Sequence, residues 1–332
     1  MNKNFISLTD NDSFAKLRGD DLQDLLVQTE NYFLEYRDSL GLPSNLTFGV
    51  EIEYEGLIRS ITDKFIEKNL PSWDSKKDGS LTFGGEISSP IMTDKIHSWR
   101  ELKLICNHLS LRRADTLHNA GGHIHIGVSI LNDDIDAWRK FLKLYTAYES
   151  VLFRFMYGDK ICGRKSLSKY APPIADYLYE SINTLNNVKT FLELKDAIPI
   201  VERHAAINFT NVIFNNPYNF CNRNTLEFRF PNATTSEIIW QNNINALAKM
   251  MIASKDNKID EDFLDYRLKN EYMPYSTNKF LYDIININIL LEFVDFVFHN
   301  NLDKIYFLRQ YLRNFQEVFG AKTTIKTKSF FK

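Results

Sequence analysis

Apolar residues recur at two different spacings along the chain, and the two spacings alternate in blocks. Spacings of three and four residues predict helices within residues 13–40, 94–115, 133–158 and 236–318. Between these blocks, polar and apolar residues alternate over short runs bounded by Gly, Pro, Asn or Asp, which predicts strands. These runs are LTFGVEIEYEG, GSLTFGGEISSP, GGHIHIGVSI, HAAINFTNVIFNN and NTLEFRFPNATT. The sequence therefore predicts an α+β fold.

The order of the blocks predicts three regions. Residues 1–45 would form a helical N-terminal extension, residues 46–240 a mixed core, and residues 241–332 a helical region packed on that core. No internal repeat and no low-complexity linker separates the regions. We therefore expect one domain overall.

Charge and cysteine content narrow the class of protein. The 332 residues include 40 Lys and Arg against 42 Asp and Glu, and this balance argues against a dedicated nucleic-acid or membrane-surface binder. Cys106, Cys162 and Cys221 are far apart and form no CxxC pair, so neither a disulfide framework nor a zinc knuckle is indicated. The N-terminal residues lack the pattern of a signal peptide, and no uninterrupted apolar span is present. We expect a cytoplasmic protein, and no feature indicates its oligomeric state.

Three of the predicted strands carry chemically similar side chains on one face. Residues i and i+2 of a strand point to the same face, so Glu51 projects with Glu53, and His123 projects with His125. The third strand adds Thr225, Glu227 and Arg229. An antiparallel sheet commonly has one solvent-exposed face, and the alternation alone predicts no more than that.

The residue types on these faces indicate more than contact with solvent. Carboxylates on neighbouring strands repel each other, so their clustering is best explained by a bound divalent cation. Mostly oxygen ligands with an occasional imidazole suit Mg²⁺ or Mn²⁺. An arginine beside such a cation is typical of phosphoryl-group binding and suggests a nucleoside triphosphate. Glu86, which ends a predicted hairpin after the Asp78-Gly79 turn, is a weaker ligand candidate.

Four short motifs follow one another in an order that resembles the amidoligase family. They are ExE at Glu51–Glu53, DGS…GGEISSP at Asp78–Pro90, GxHxHxG at Gly121–Gly127, and Arg203…Asn208 followed by TLEFR at Thr225–Arg229. This family is a branch of the carboxylate–amine ligase superfamily, which includes glutamine synthetase and glutamate–cysteine ligase. The resemblance covers about residues 46–240, and RKSLSKYAP at 164–172 is similar to the family's R…Y…P loop. It implies a glutamine synthetase-like catalytic fold, with a curved, mainly antiparallel sheet, helices on one face and helical flanks at both ends.

The resemblance also implies roles for individual residues. The expected metal ligands are Glu51, Glu53, Glu86, His123 and Glu227. The expected nucleotide contacts are His125, Arg164, Asn208 and Arg229. Arg229, Arg203 and Glu227 are the expected catalytic residues. The implied activity is an ATP- and Mg²⁺- (or Mn²⁺-) dependent ligase that joins a small-molecule or peptide carboxylate to an amine through an acyl phosphate.

Other functions remain open at this point. A phosphotransferase similar to guanidino kinases would use the same fold and ATP site without making an amide. A binding protein with a decayed ATP site is also possible, although the intact set of Glu, His and Arg side chains argues against it. A metal-dependent hydrolase is a weaker alternative because the chain has no HExxH motif. His204 can be either a surface residue or a site residue, since it adjoins Arg203.

Overall fold

Six antiparallel strands form one sheet in the computed structural model, within the residues that it describes. The described residues are 6–116, 118–131, 134–158, 164–198, 203–213, 224–256, 259–272 and 285–313. The strands are β1 (Phe48–Glu55), β2 (Asp74–Lys76), β3 (Gly84–Ser88), β4 (Gly122–Gly127), β5 (Ile207–Asn208) and β6 (Thr225–Phe228). Their order across the sheet is β2-β3-β1-β4-β6-β5.

Twelve α-helices surround the sheet in the described part of the chain. They are α1 (Gly19–Glu30), α2 (Arg59–Asn69), α3 (Ile96–Leu111), α4 (Ile135–Met156), α5 (Leu167–Tyr170), α6 (Ala175–Glu180), α7 (Ile182–Leu185), α8 (Phe191–Ala197), α9 (Glu237–Ala253), α10 (Glu261–Glu271), α11 (Ile287–Val297) and α12 (Asn301–Tyr311). Several of these helices have an N-cap side chain: the Asp134 side chain accepts from Ala137 N–H at the start of α4, and the Ser236 side chain accepts from Ile239 N–H at the start of α9. None of the described helices combines the length and hydropathy that a membrane crossing requires.

The apolar face of the sheet is covered by helices, as the alternation predicts. Val50 and Ile52 are at most 1% exposed, and the alternate positions of β4 and β6 are equally buried. Trp99 of α3 stacks on Phe48 with ring centroids 4.9 Å apart, and Phe141 of α4 meets Phe228 edge-on at 6.4 Å. The mixed α and β prediction is confirmed, while the glutamine synthetase-like arrangement and the division at residues 45 and 240 stay predictions.

The predicted helix over 13–40 is longer than the observed one. The structure has a 3-10 turn at Phe14–Lys16, and α1 ends at Glu30. Beyond it, side chains from distant elements accept backbone N–H groups, as Asp94 does from Leu40 and Leu42. These long-range bonds replace the helical ones, and helical spacing could not reveal them.

The hairpin around Asp78 also differs from the prediction. Ser80–Phe83 is not a strand, because Asp78 accepts Ser80 N–H at 2.6 Å and Glu55 accepts Thr82 N–H at 3.0 Å. The segment is instead the loop between β2 and β3, and the sequence did not predict β2. Cys162 and Cys221 lie outside the described residues, as do the last residues of the helical prediction over 236–318.

Candidate active site

Strand pairing brings the predicted polar residues together on the second face of the sheet. Glu53 lies opposite Glu86 on β3, and Glu51 lies opposite His123 on β4. His125 in turn pairs with Glu227. Directly opposed residues on antiparallel strands have Cβ atoms about 5 Å apart, so their side chains can share one ligand. The motifs of four separate segments therefore form one cluster.

This face of the sheet is buried. Glu53 and Glu86 are each 6% exposed, His123 is 3% exposed and Glu227 is 5% exposed. Arg164, Ser166, Tyr170, Arg203 and His204 approach from outside the sheet and line a cavity over the cluster. A solvent-exposed sheet face, the simplest interpretation of the alternation, is therefore wrong for these residues. Buried carboxylates need compensating charge or hydrogen bonds, which makes their partners informative.

The two histidines connect the carboxylates. His123 Nδ1 lies 3.0 Å from Glu51 Oε2 and 3.6 Å from Glu227 Oε1, and its Nε2 lies 3.5 Å from Glu53 Oε1. His125 Nε2 lies 3.5 Å from Glu51 Oε1. His123 is therefore at the centre of the cluster and contacts three of the proposed ligands.

The cluster shifts the pKa values of its carboxyl groups in different directions. Burial would raise the pKa of Glu51, but hydrogen bonds and charge from His123 and His125 outweigh it, so this pKa lies well below its usual range. Burial also opposes ionisation of Glu227, and the charges of His123 and Arg229 again hold its pKa low. Burial and the charge of Glu51 raise the pKa of Glu86, and Lys76 offsets this only in part.

Two groups of three side chains have the geometry of a metal site. Glu51, His125 and Glu227 form the first triad, with ligand atoms within 4.8 Å of one another. Glu53, Asp78 and Glu86 form the second triad under the same limit.

The donor set fits a divalent cation. His125 Nε2 is buried and has only the long 3.5 Å contact with Glu51 Oε1, as expected of a nitrogen that can serve as a ligand. Five carboxylates and one imidazole suit Mg²⁺ or Mn²⁺ better than zinc. The geometry includes His125 in a triad, although the resemblance assigns His125 to phosphates and His123 to the metal.

Neighbouring polar groups hold the carboxylates in place. Asn208 Nδ2 donates to Glu227 Oε2 at 2.7 Å, and Gly121 N–H donates to Glu53 Oε2 at 2.5 Å. Asn208, which the resemblance assigns to the nucleotide, therefore positions a carboxylate in this structure. Such bonds restrict side-chain rotation and orient the oxygens for a ligand.

The predicted arginines line the same cavity of about 210 Å³ as Glu53, Asp78 and His123. Arg229 donates to Glu227 Oε1 and to the carbonyl of Tyr170. Arg164 is buried and donates to the carbonyls of Arg229 and Pro231 at 2.8 Å each, and burial lowers its pKa to about 10. Arg203 is exposed at the cavity wall beside His204. The cavity is therefore lined by both carboxylates and guanidinium groups.

Sequence reasoning missed several residues of the site. Asp78, Ser80, Ser166 and Tyr170 appeared only within quoted motifs and were given no role in the site, and Lys76 was not singled out. Asp78 could have been found because it precedes Glu86 in the same hairpin. The positions of the others depend on how the loops cover the sheet, which a local motif does not specify.

A family model described as "Putative amidoligase enzyme" matches residues 61–251 of the chain. The match includes β2 to β6 and so contains Asp78, Glu86, both histidines and Glu227. Glu51 and Glu53 precede it on β1, which pairs with the matched strands β3 and β4. None of the curated proteins compared with the chain matches it.

Proposed function

The chain belongs to the amidoligase family, and we propose that it is an ATP- and Mg²⁺-dependent carboxylate–amine ligase that forms an amide or peptide bond. One observation carries the proposal: two triads of metal-ligating side chains lie together, and the cavity that Glu53 and Asp78 line is also lined by Arg164, Arg203 and Arg229. A phosphoryl donor and a carboxylate acceptor are both anions, and this arrangement can hold two anions close together.

The triads would hold the divalent cation. Glu51, His125 and Glu227 offer one set of ligands, and Glu53, Asp78 and Glu86 offer another. When bound, Mg²⁺ or Mn²⁺ would neutralise phosphate charge that otherwise repels an incoming carboxylate. Asn208 and His123 would keep the ligands oriented through their contacts with Glu227 and Glu51.

The proposed reaction has two chemical steps. A carboxylate oxygen of the substrate attacks the γ-phosphorus of ATP, the bond between that phosphorus and the β,γ-bridging oxygen breaks, and ADP leaves. The amine nitrogen then attacks the carbonyl carbon of the acyl phosphate, the bond from carbon to the phosphate oxygen breaks, and inorganic phosphate and a proton are released. Arg203 and Arg229 would orient the carboxylate and offset the charge on the transferring group.

Hydroxylamine tests the proposal without knowledge of the native amine, because it traps acyl phosphates as hydroxamates. The full chain would be incubated with Mg²⁺, ATP, hydroxylamine and pools of amino acids, peptides and other carboxylates, with ADP and hydroxamate measured together. We expect equimolar ADP and hydroxamate with an active pool. A carboxylate labelled with ¹⁸O should transfer one labelled oxygen to inorganic phosphate.

Two variants serve as controls. Glu227→Gln should abolish formation of both products, whereas Glu67→Gln, at an exposed position of α2, should behave as the wild type. ADP formed with a phosphorylated guanidino compound and no hydroxamate would instead identify the phosphotransferase. ADP without any acyl product, or no ATP turnover with any pool, would count against the ligase.

A further inference from the structure

The amino group of Lys76 lies inside the carboxylate cluster. Lys76 Nζ is 2.8 Å from Glu86 Oε1 and 3.9 Å from Glu51 Oε1. The pairing of β2 with β3 places Lys76 directly opposite Glu86. Because Glu86 belongs to one triad and Glu51 to the other, a single ammonium group bridges both.

We propose that Lys76 is a tethered counter-ion, which occupies the cluster when no divalent cation is bound and competes with that cation for Glu86. The inference rests on the proposed function, since it takes the two triads as the cation site. It adds Lys76 to the residues that position the site, and competition from Lys76 would lower the affinity of the site for the cation.

The charge balance of the cluster supports this role. The Glu86 side chain is only 8% exposed, so its negative charge needs compensation inside the protein. Among the described residues, Lys76 is the basic side chain in ion-pair contact with Glu86. Arg164 and Arg229 cannot take its place, because their guanidinium groups are buried and bonded to main-chain carbonyls or to Glu227.

The geometry makes the ammonium and the cation alternatives. A divalent cation binds a carboxylate oxygen at about 2.1 Å, so a cation on Glu86 Oε1 would lie within a few Å of the ammonium group. The resulting repulsion is expected to displace the Lys76 side chain, because it is the more mobile of the two. The Lys76 side chain is 48% exposed and has a flexible four-carbon stem, so it can move into solvent when the cation binds.

Calorimetric titration with Mn²⁺ alone tests the competition. The full chain, stripped with EDTA and then dialysed, would be titrated without nucleotide at fixed pH and ionic strength. We expect Lys76→Met to bind Mn²⁺ about tenfold more tightly than the wild type. The matched control is Lys77→Met, which removes the same charge from the next residue, an exposed one, and should change Kd by less than about twofold.

Thermal unfolding gives a second measurement. In EDTA, Lys76→Met should melt below both the wild type and Lys77→Met, and the difference should disappear at saturating Mn²⁺. Lys76→Arg keeps the charge and should bind Mn²⁺ as the wild type does. Lys76→Gln serves as a second neutral variant should the methionine variant fail to fold.

The outcomes separate this inference from the proposed function. In one outcome the wild type binds Mn²⁺, and Lys76→Met binds it no more tightly than Lys77→Met does. That result would overturn the counter-ion role and leave the ligase proposal standing. Absence of Mn²⁺ binding in the wild type and in both neutral variants at Lys76 would overturn the cation site and, with it, both proposals.

Discussion

Replacement of Gly84 by alanine tests how closely β1 and β3 approach beside the carboxylate cluster. A Cβ atom built at Gly84 would lie 1.8 Å from the carbonyl oxygen of Tyr54 and 2.9 Å from the Cα atom of Glu55. Non-bonded carbon contacts are most favourable at about 3.5–4.0 Å, so the two strands would have to separate by more than about 1 Å. The obstacle is backbone on the opposite strand, and no side-chain rotation can relieve it.

The expected cost follows from this geometry. Overpacking a well-packed site costs about 1–3 kcal/mol, and separation would also break the pairing of Gly84 with Glu55 and of Gly85 with Tyr54. We therefore expect Gly84→Ala to lower the free energy of unfolding by about 3 kcal/mol or more. Gly85→Ala should cost less, because its Cβ would meet Arg59 Cγ and Lys76 O at 3.1 Å. Gly79→Ala has no atom within 4 Å and should change stability by less than about 1 kcal/mol.

Urea denaturation followed by circular dichroism measures this ranking, with an unchanged m-value as the check that the unfolded states are comparable. Gly84 lies two residues before Glu86, so separation of the strands should also weaken Mn²⁺ binding in the fraction that still folds. A Gly84→Ala protein within about 0.5 kcal/mol of Gly79→Ala would refute the reasoning.

Three further predictions concern the nucleotide, pH and a buried carboxylate. Wild-type melting should rise more with Mg²⁺ and ATP together than with either alone, and Glu51→Ala and Glu227→Ala should lose that additional rise; an additional rise retained by either variant would contradict the ligand assignment. Burial and the nearby charge of Arg112 lower the pKa of His108 from 6.5 to about 4. As pH falls, His108 is therefore protonated in the unfolded chain before it is protonated in the folded one, so the free energy of unfolding decreases between about pH 6.5 and pH 4. Urea denaturation at several pH values measures this decrease, and His108→Phe should reduce it by up to about 3 kcal/mol. His97→Gln, at an exposed position, is the control and should leave it unchanged. Glu149 accepts from Tyr145 O–H at 2.9 Å and from Ile174 N–H at 2.7 Å, so Glu149→Leu should cost about 3 kcal/mol or more and Glu149→Gln about 1 kcal/mol in the same denaturation experiments. Equal costs for the two variants would contradict this role of the acceptor.

The strand faces could be predicted from the sequence because the two-residue period is a local property. Ile52 and Ile124 are fully buried against helices, and Glu51 and His123 on the alternate positions face the cavity side. The order of the strands is not local. It places Glu53 beside Glu86, which lies 33 positions later, and the residue pattern alone made Glu86 only a weaker ligand candidate.

The predictions failed where tertiary contacts replace local ones. The helix predicted up to residue 40 ends at Glu30 because Asp94 and other distant side chains accept the following N–H groups. Asp78 was interpreted as a turn residue, which it is, since it bonds Ser80 N–H. The same carboxyl group also lies within reach of Glu53 and Glu86, and a turn signal cannot report this second contact.

The polar face is a poor design for stability alone. Five carboxylates lie close together there, and His123 and Arg229, which offset part of their charge, are themselves desolvated. Apolar side chains of similar volume would stabilise such a face without the cost of desolvating charges, as they do on the opposite side of the same strands, where Phe141 packs on Phe228. The rigid apolar face keeps the strands in register, and the register keeps the carboxylates near one another despite their repulsion. This cost is the reason to propose a ligand at the polar face, and the proposed divalent cation with its bound anions has the required charge.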